Sequence, residues 1–274
     1  MFAVQFVDPQ HGWAIGDISP TGGSIFETSD GGQQWRPIAR TLEVLTSLHF
    51  ISRSRGWVAG FAGRIERTDD GGRTWVTQRT EKGNEALNSI FFANAQRGWV
   101  AGSGGLLLRT ISGGDTWESL STDRVEDFWT VRFRSEQVGW IVGEDGLILR
   151  TTDGGSTWVQ MASGTRLALY GLALGPTFLI AVGEKGLILR SEDGFSWKQV
   201  ESGTNETLNA VSAADEDVVW AVGSSGTTIG SRDGGRSWTL FPPVSRRALL
   251  GLAVTGPMHG VAVGRKGALQ ALGP

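Results

Sequence analysis

The chain has 274 residues, of which 41 are glycine, 12 are tryptophan, 1 is tyrosine and none is cysteine. No Gly-X-Y period is present and 39% of the residues are hydrophobic, which excludes collagen-like and wholly disordered chains. A net charge of -3 excludes a bulk attraction to nucleic acid or to an anionic membrane. The missing cysteines exclude disulfides, thiolate nucleophiles and cysteine metal sites.

Histidine spacing and hydropathy argue against a metal site and a membrane-spanning segment. His11, His49 and His259 show no paired ligand spacing, so we expect neither a metal site nor a cofactor. The first residues contain no charged region followed by an apolar run, so no signal peptide is expected in this chain. The longest uncharged stretch, residues 167–183, is interrupted by Gly175-Pro176 and is short for a membrane span, so no direct membrane insertion is expected.

Two landmarks recur about every 41 residues. The first is a box of the form T/S-x-D-G-G-x-x-W, and the six boxes end in Trp35, Trp75, Trp117, Trp158, Trp197 and Trp238. The second is G-W-x-x-G or a close variant, which precedes each box and occurs a seventh time at residues 260–264. Eleven of the twelve tryptophans occupy these two landmarks, and only Trp129 lies elsewhere. A period of this length is typical of a propeller blade.

Each repeat predicts four short strands. In residues 45–80, the runs LTSLHF, GWVAG, GRIERT and TWVTQR alternate in polarity and are separated by turn residues. The Asp-Gly-Gly of the box is a turn signal, because the carboxylate accepts backbone N–H groups and glycine adopts positive φ. The following tryptophan is placed to pack back over the turn.

The repeats therefore predict an all-β fold, a seven-bladed β-propeller with Asp-box turns, formed by a single domain. The predicted blades span residues 1–41, 42–82, 83–123, 124–163, 164–203, 204–244 and 245–274. The last repeat has no box and the N-terminus offers no spare strand. We therefore predict a three-stranded last blade and a ring closed by side-chain packing, without strand exchange.

The boxes resemble Asp-boxes, also called BNR repeats, and their combination with G-W-x-x-G resembles the photosystem II assembly factors of the Ycf48/HCF136 type. The resemblance covers essentially the whole chain. Ser112 replaces one box aspartate, the box that ends at Trp197 lacks one residue, and the seventh repeat has no box. The resemblance implies a non-enzymatic scaffold that captures a membrane-protein assembly intermediate in the periplasm or thylakoid lumen, with photosystem II relevant only in a photosynthetic organism.

The repeated residues are interpreted as structural. The box residues Asp30, Asp70, Asp153, Asp193 and Asp233 could suggest catalysis or calcium binding, but each is expected to be used by its own turn. The repeated tryptophans could stack on sugars or nucleic-acid bases. Packing between wedge-shaped blades is the favoured interpretation, because large rings at fixed positions hold such sheets together.

The alternative function is a glycan-binding or sialidase-like glycoside hydrolase propeller. Resemblance to sialidases would imply a tyrosine nucleophile paired with a carboxylate, an arginine triad for the substrate carboxylate and an aspartate acid. Tyr170 is the only tyrosine, and its neighbours in LALYGLAL carry no charge. Three convergent arginines beside Tyr170 and a carboxylate would favour the enzyme, whereas an open basic arc would favour the scaffold.

Binding is expected at the rim that carries the turns between second and third strands and the links between blades, opposite the box turns. Cations concentrate over blades seven, one and two. They are Arg246, Arg247, Arg265, Lys266, Arg36, Arg40, Arg64, Arg79 and Lys82, against Glu43, Glu81 and Glu85. Either these are ordinary solvated charges, or they form a basic arc suited to a carboxylate-bearing peptide or chain terminus.

The innermost strands offer a second candidate site along the channel. Equivalent positions hold Gln5, His49, Phe91, Arg132, Leu172, Ser212 and Ala253. His49 and Arg132 would be the main polar groups of the channel, and Trp129 marks the least repeat-like of these strands. The expected partner is a protein bound by a monomer, and no nucleic acid is expected.

Overall fold

A computed structural model of the chain describes residues 2–19, 22–80, 85–256 and 259–272. The described residues form seven antiparallel sheets, in which each strand pairs with the next strand in sequence. Six sheets have four strands and the seventh has three. Neighbouring innermost strands pack against one another around the ring. The predicted all-β, seven-bladed propeller with a three-stranded last blade is therefore confirmed.

The first four blades contain sixteen strands. Blades one and two comprise β1 (Ala3–Phe6), β2 (Gly12–Ser19), β3 (Gly22–Thr28), β4 (Arg36–Thr41), β5 (Leu45–Phe50), β6 (Gly56–Gly60), β7 (Ile65–Thr68) and β8 (Val76–Arg79). Blades three and four comprise β9 (Leu87–Phe92), β10 (Gly98–Gly102), β11 (Leu107–Thr110), β12 (Glu118–Ser119), β13 (Phe128–Phe133), β14 (Gly139–Gly143), β15 (Ile148–Thr151) and β16 (Val159–Gln160).

The remaining eleven strands form blades five to seven. They are β17 (Leu169–Leu174), β18 (Leu179–Gly183), β19 (Ile188–Ser191), β20 (Lys198–Val200), β21 (Leu208–Ala213), β22 (Val218–Gly223), β23 (Thr228–Arg232), β24 (Thr239–Phe241), β25 (Leu249–Gly256), β26 (His259–Gly264) and β27 (Leu269–Leu272). Within the described ranges, single 3-10 turns connect the second and third strands of blades three to seven, at Ser103–Gly105, Glu144–Gly146, Glu184–Gly186, Ser224–Gly226 and Arg265–Gly267.

The ring closes between blades seven and one by packing alone. No strand of blade one joins the sheet of blade seven among the described residues. Instead, Val4 and Ala14 of blade one form one buried cluster with Ala253, Val261 and Val263 of blade seven. Because this contact is apolar and made on both sides by alternating strand residues, it closes the ring as predicted, without strand exchange.

The G-W-x-x-G tryptophans of blades one to four connect each of these blades to the next. The indole N–H groups of four of them each donate to the carbonyl of the first box glycine in the following blade at 3.0 Å. The pairs are Trp13 with Gly71, Trp57 with Gly113, Trp99 with Gly154, and Trp140 with Gly194. Gly194 has a φ of +73°, and a Cβ there would collide with the Trp140 ring. The turn therefore requires glycine for its backbone conformation and for this close approach.

Aromatic stacking also connects neighbouring blades. The rings of Trp57 and Phe92 lie 3.5 Å apart and nearly parallel across blades two and three. Phe92 in turn meets the box Trp117 of its own blade edge to face, with centroids 5.9 Å apart. Trp13 with Phe50 and Trp99 with Phe133 form equivalent stacks. The tryptophans therefore form the packing between blades, as the sequence predicted, because stacked and edge-on pairs add to the burial of their surface.

The box aspartates are used by their own turns. At Asp70, Oδ1 accepts from the Thr68 hydroxyl and the Thr74 N–H, both at 2.9 Å, and Oδ2 accepts from the Thr74 hydroxyl at 2.6 Å. In blade three, Ser112 takes the aspartate's place and its Oγ accepts the Thr116 N–H at 3.0 Å. A hydroxyl therefore preserves the central backbone contact of this turn without a charge.

The hydrogen bonds at Asp70 give the turn a measurable pH dependence. The Thr74 hydroxyl and N–H lower the pKa of Asp70 from 3.8 to about 2. A depressed carboxyl pKa stabilises the folded state above the unfolded-state pKa, and this contribution is lost as the pH falls through the folded-state pKa. We therefore expect Asp70→Asn to have a lower melting temperature than the wild type above pH 4, with the gap narrowing between about pH 4 and pH 2.

The measurement is a thermal melt at several pH values, and the control is Asp145→Asn. Asp145 is exposed and makes no hydrogen bond to any described residue. A gap between wild type and Asp70→Asn that stays constant down to pH 2 would contradict the assigned role of the carboxylate.

Candidate functional site

Eight of the nine cations proposed from the sequence are among the described residues, and seven of these eight lie toward the rim opposite the boxes. Arg64, Arg265 and Lys266 belong to turns between second and third strands, whereas Arg246 and Arg247 lie on the link into blade seven. Arg40 and Arg79 lie at the rim ends of β4 and β8.

Arg36 is the exception among these cations. It begins β4 directly after the box, and its guanidinium bonds Glu27 at 2.9 Å. Arg36 therefore lies at the box rim, on the opposite side from the proposed basic arc, and is not part of that arc. Lys82 and Glu81 lie outside the described residues.

Two of the rim cations are neutralised by neighbouring carboxylates. Arg64 Nε donates to Glu66 at 3.0 Å, and this glutamate is buried. Arg79 donates to Glu85 at 3.1 Å and to the carbonyl of Gly63 at the same distance. Because a buried carboxylate needs its counter-ion, Arg64 serves the fold, and the pair with Glu85 reduces the charge that Arg79 offers a partner.

Four cations around blade seven, which we name the free cation corner, form no ion pair with any described residue. They are Arg246, Arg247, Arg265 and Lys266, and all four are exposed. Arg247 donates to the main-chain carbonyl of Lys266 at 3.1 Å, which holds the link and the turn together. Arg40 of the next blade is also exposed and unpaired within the described ranges. The positive charge of the arc is therefore concentrated over blades seven and one.

The repeat itself shows why Arg265 is available. The first residue of the equivalent turn caps a main-chain N–H in three other blades. Ser103 accepts from Ala86 at 3.2 Å, and Glu184 accepts from Ala168 at 3.2 Å. Arginine has no acceptor and cannot make this contact. The substitution of a cation at this repeat position is the sequence signal that distinguishes blade seven from the others.

A cleft of about 540 Å³ opens beside the free cation corner over blade six. Its apolar wall comes from the end of β24 and the residues after it, Leu240, Phe241, Pro242 and Pro243. Arg246 and Glu206 stand on its polar side. An apolar wall beside an arginine can hold a hydrophobic side chain together with a neighbouring carboxylate.

The proposed channel residues lie on innermost strands, where they connect neighbouring blades. His49 Nε2 donates to the Phe92 carbonyl at 3.0 Å. Arg132 donates to the Ser89 hydroxyl at 3.2 Å and to the carbonyl of Val131 at 2.8 Å. Burial lowers the pKa of Arg132 to about 10, which leaves it protonated at neutral pH. These contacts support the ring, and their role in ligand binding stays a prediction.

One position in the channel prediction was wrong. Ala173, and not Leu172, pairs with Ile180, the blade-five residue that replaces the landmark tryptophan. Leu172 is instead buried in the cluster that contains Trp140. Trp129 lies edge to face with Tyr170 at 5.4 Å, and its buried indole N–H has no partner among the described residues.

His49 makes the fold sensitive to acid. Burial, assisted by the charge of Arg132, lowers the pKa of His49 from 6.5 to about 3. The unfolded chain therefore binds a proton at a higher pH than the folded chain, and stability is lost as the pH falls from about 6.5 toward 3. In blade one the equivalent residue is Gln5, whose amide donates to the Phe50 carbonyl at 3.0 Å.

We therefore expect His49→Gln to keep the connection between blades and to remove this sensitivity. Thermal melts at pH 7 and at pH 4.5 should show a smaller drop in melting temperature for the variant than for the wild type. Equal drops would show that His49 is protonated without cost in the folded protein.

Tyr170 has a carboxylate neighbour, which the sialidase alternative requires, but no arginine among its described contacts. Burial and the adjacent Glu184 raise the pKa of its hydroxyl, which donates to Glu184 at 3.4 Å. No arginine is among the described hydrogen-bonding or ring contacts of this side chain. An adjacent carboxylate can act as the base that activates a nucleophilic phenol, so the case against a sialidase-like role rests on the arginines that these contacts lack.

The described ranges contain neither a cluster suited to a metal ion nor a helix suited to a membrane. No group of three or more histidine, aspartate or glutamate side chains in them could hold a metal ion. None of the helices found there has the length and apolarity needed to cross a membrane.

Comparison with known proteins identifies the family. The sequence profile described as "Photosynthesis system II assembly factor YCF48" matches residues 37–125 and 84–209, which together exceed half of the chain. A segment of 77 residues is 34% identical to the photosystem II assembly lipoprotein Ycf48 of Synechococcus sp. (strain CC9902). That segment covers 27% of this chain and 22% of the relative, so the match spans less than a quarter of the relative's length.

Solved structures share the fold. "YCF48 bound to D1 peptide" superposes with a TM-score of 0.81 at 21% identity over 100% of this chain and 93% of that chain. YCF48 from Cyanidioschyzon merolae gives 0.78 at 21% identity, over 100% and 95% of the two chains. A GH74 xyloglucanase from Xanthomonas campestris also gives 0.78, at 13% identity over 98% of this chain and 51% of that chain. By its sequence profile, the chain belongs to the family of photosystem II assembly factors described as YCF48.

Proposed function

We propose that this chain is a non-enzymatic photosystem II assembly factor that binds a segment of a partner protein at the free cation corner. The observation that carries the proposal is the uneven pairing of charges on the rim. Arg64 and Arg79 have carboxylate partners, whereas the four cations around blade seven have none among the described residues. Arginine forks held on a rigid scaffold bind carboxylates through two parallel hydrogen bonds.

The class of partner follows from the family. One structural relative is a YCF48 protein bound to D1 peptide. We infer that this chain binds a D1 peptide too, as part of a membrane-protein assembly intermediate, with the peptide's carboxylates at the free cation corner. The cleft wall of Leu240 and Pro243 would hold an adjacent apolar side chain. Because a curated relative is a lipoprotein, we place this activity outside the cytoplasm, in the periplasm or thylakoid lumen.

The hydrogen bonds and neighbours of the residues that a glycoside hydrolase would use favour a scaffold. Tyr170 has no arginine among its described contacts, and the carboxylate of Asp70 is occupied by three hydrogen bonds within its own turn. The likeness to a xyloglucanase, at 13% identity, concerns the fold alone. The glycoside hydrolase alternative therefore has a tyrosine next to a carboxylate, but no arginine among the described contacts of that tyrosine.

Titration with a fluorescein-labelled synthetic D1 peptide tests the proposal. Anisotropy should rise to saturation at low salt, and the affinity should fall at about 1 M NaCl, where the Debye length is about 3 Å. Absence of binding at low salt, or binding that salt does not weaken, would overturn it. Hydrolysis of a xyloglucan oligosaccharide under the same conditions would support the alternative.

A further inference from the structure

The outer strand of blade six places an exposed apolar side chain where the two preceding repeats have a polar one. Leu240 lies opposite Ile229, and the same register holds Gln160 in blade four and Gln199 in blade five. Leu240 is 50% exposed and lines the cleft over blade six. Because glutamine occupies this position in two blades, the outer strand does not itself require an apolar residue here.

Two prolines extend this apolar surface. Pro243 lies where blades four and five have Ser163 and Ser202, whose hydroxyls donate to the main-chain carbonyl two residues later at 3.3 Å and 3.0 Å. Proline has no hydroxyl for this bond, but its ring restricts φ and stiffens the link. Pro242 and Pro243 are both exposed and line the cleft together with Leu240. Exposed apolar patches of this kind mark ligand-binding grooves.

A carboxylate lies at the same cleft. Glu206 belongs to the link into blade six, and its N–H donates to the Thr204 hydroxyl at 3.1 Å. In blade five, the N–H of Leu167 donates to the Thr165 hydroxyl at 3.0 Å, and the leucine side chain packs against the buried cluster that contains Trp140. The two links therefore share one turn, but blade six has an exposed carboxylate where blade five has a packed apolar side chain.

The two charged residues of the cleft do not pair with each other. Arg246 comes from the link that leaves blade six, and Glu206 comes from the link that enters it. Both are exposed, and neither forms an ion pair with any described residue. Opposite charges beside an apolar wall are complementary to a ligand that carries both signs. A purely acidic ligand would bind Arg246 but would also place negative charge beside Glu206.

We propose that the cleft over blade six selects a segment in which an apolar residue is flanked by one acidic and one basic residue. The apolar residue packs on Leu240 and Pro243. Its acidic neighbour binds the guanidinium of Arg246, and its basic neighbour binds the carboxylate of Glu206. Glu206 thereby selects against segments that carry acidic residues alone. The inference rests on the proposed function, since it defines which part of the partner's segment occupies the cleft.

Four labelled peptide probes test this selection. Their cores are Asp-Leu-Lys, Asp-Leu-Asp, Lys-Leu-Lys and Asp-Ser-Lys, each between the same glycine linkers, with the same fluorescein label and an amidated C-terminus. The probes therefore differ only in the charges and the apolar residue of the core. In anisotropy titrations, the wild type should bind the Asp-Leu-Lys probe about tenfold more tightly than either probe of single charge sign, because each of those loses one charge-assisted contact.

Glu206→Lys is the decisive variant. It should reverse the charge preference, so that the Asp-Leu-Asp probe binds about tenfold more tightly than the Asp-Leu-Lys probe. A reversed preference cannot result from unfolding, whereas a loss of binding could. Glu201→Lys is the matched control, because Glu201 lies on the same link, is exposed and unpaired among the described residues, and does not line the cleft. Its preference should change by less than about twofold.

The apolar wall is tested separately by Leu240→Gln. This variant gives blade six the residue that blades four and five already have, so the outer strand should form normally. It should abolish the preference for the Asp-Leu-Lys probe over the Asp-Ser-Lys probe and retain the charge preference. An unchanged preference for leucine would overturn the assignment of the wall.

Absence of saturable binding by any probe, equal affinity for all four, or a charge preference that Glu206→Lys leaves unchanged would overturn the inference. An equal reversal in Glu201→Lys would overturn it too, since total charge would then set the preference. Reversal by Glu206→Lys alone, without binding of D1 peptide to the wild type, would overturn only the proposed function. Salt-sensitive binding of D1 peptide together with probes that show no preference would overturn only the selection by the cleft.

Discussion

Replacing Trp99 with alanine is expected to lower the free energy of unfolding by about 3–5 kcal/mol. Trp99 is buried, stacks on Phe133 of the next blade at 3.6 Å and donates to the Gly154 carbonyl at 3.0 Å. Alanine would remove the stack, leave a cavity between two blades and take the shorter of two hydrogen bonds from the Gly154 carbonyl, which Arg109 also contacts at 3.4 Å. Urea denaturation followed by far-ultraviolet circular dichroism measures the change.

The matched control is Trp220→Ala. This residue occupies the same position in blade six but makes no hydrogen bond to the following blade within the described ranges. Its replacement should cost at least about 1 kcal/mol less than that of Trp99, since one hydrogen bond contributes about 1 kcal/mol. Equal losses at the two positions would show that the indole N–H contributes nothing to the contact between blades.

The recurrence of tryptophans at equivalent positions explains why the fold could be predicted in detail. A propeller repeats the same contact between neighbouring blades, so a residue that makes this contact recurs at the same position in successive blades. Trp57 and Trp99 were assigned to packing on recurrence alone, and both now lie between blades with the same partners. Recurrence likewise predicted that Asp70 is used by its turn, because identical residues around a ring cannot meet at one substrate.

The prediction failed where the repeat is irregular. In blade five an isoleucine, Ile180, replaces the landmark tryptophan, and counting back from it gave Leu172 instead of Ala173. Successive residues of a strand point to opposite faces of the sheet. The shift by one residue therefore selected Leu172, whose side chain lies on the opposite face from that of Ala173. Sequence spacing could not resolve the register, since the preceding loop changes length between blades.

The ion pairs of the rim and box cations were also not predicted from the sequence. Arg36 and Arg64 each count as one positive charge in the basic arc, yet each binds a glutamate on its own blade. The Arg64–Glu66 spacing of two residues places both side chains on one face of a strand, which could have suggested the pair. Nothing in the spacing indicates that Glu66 is buried, and burial is what commits Arg64 to it.

Charge reversal at the free cation corner should abolish most partner binding. The variant combines Arg246→Glu, Arg247→Glu and Arg265→Glu. Each arginine is exposed and unpaired by carboxylates within the described ranges, so the fold should tolerate the change. Loss of a single hydrogen bond to a charged group costs about 1.5–3 kcal/mol. The dissociation constant for D1 peptide should therefore rise roughly ten- to hundredfold, with added repulsion at low salt.

The control reverses three cations at the box rim, Arg73, Lys198 and Arg232, all exposed, all without a carboxylate partner among the described residues and all changed to glutamate. Both variants alter the net charge equally, so a general electrostatic effect would weaken binding in both. A specific contact at blade seven weakens it only in the first, and the salt dependence of the remaining binding should become shallower there. Equal weakening of both variants would mean that the peptide responds to total charge and that the free cation corner is not its site.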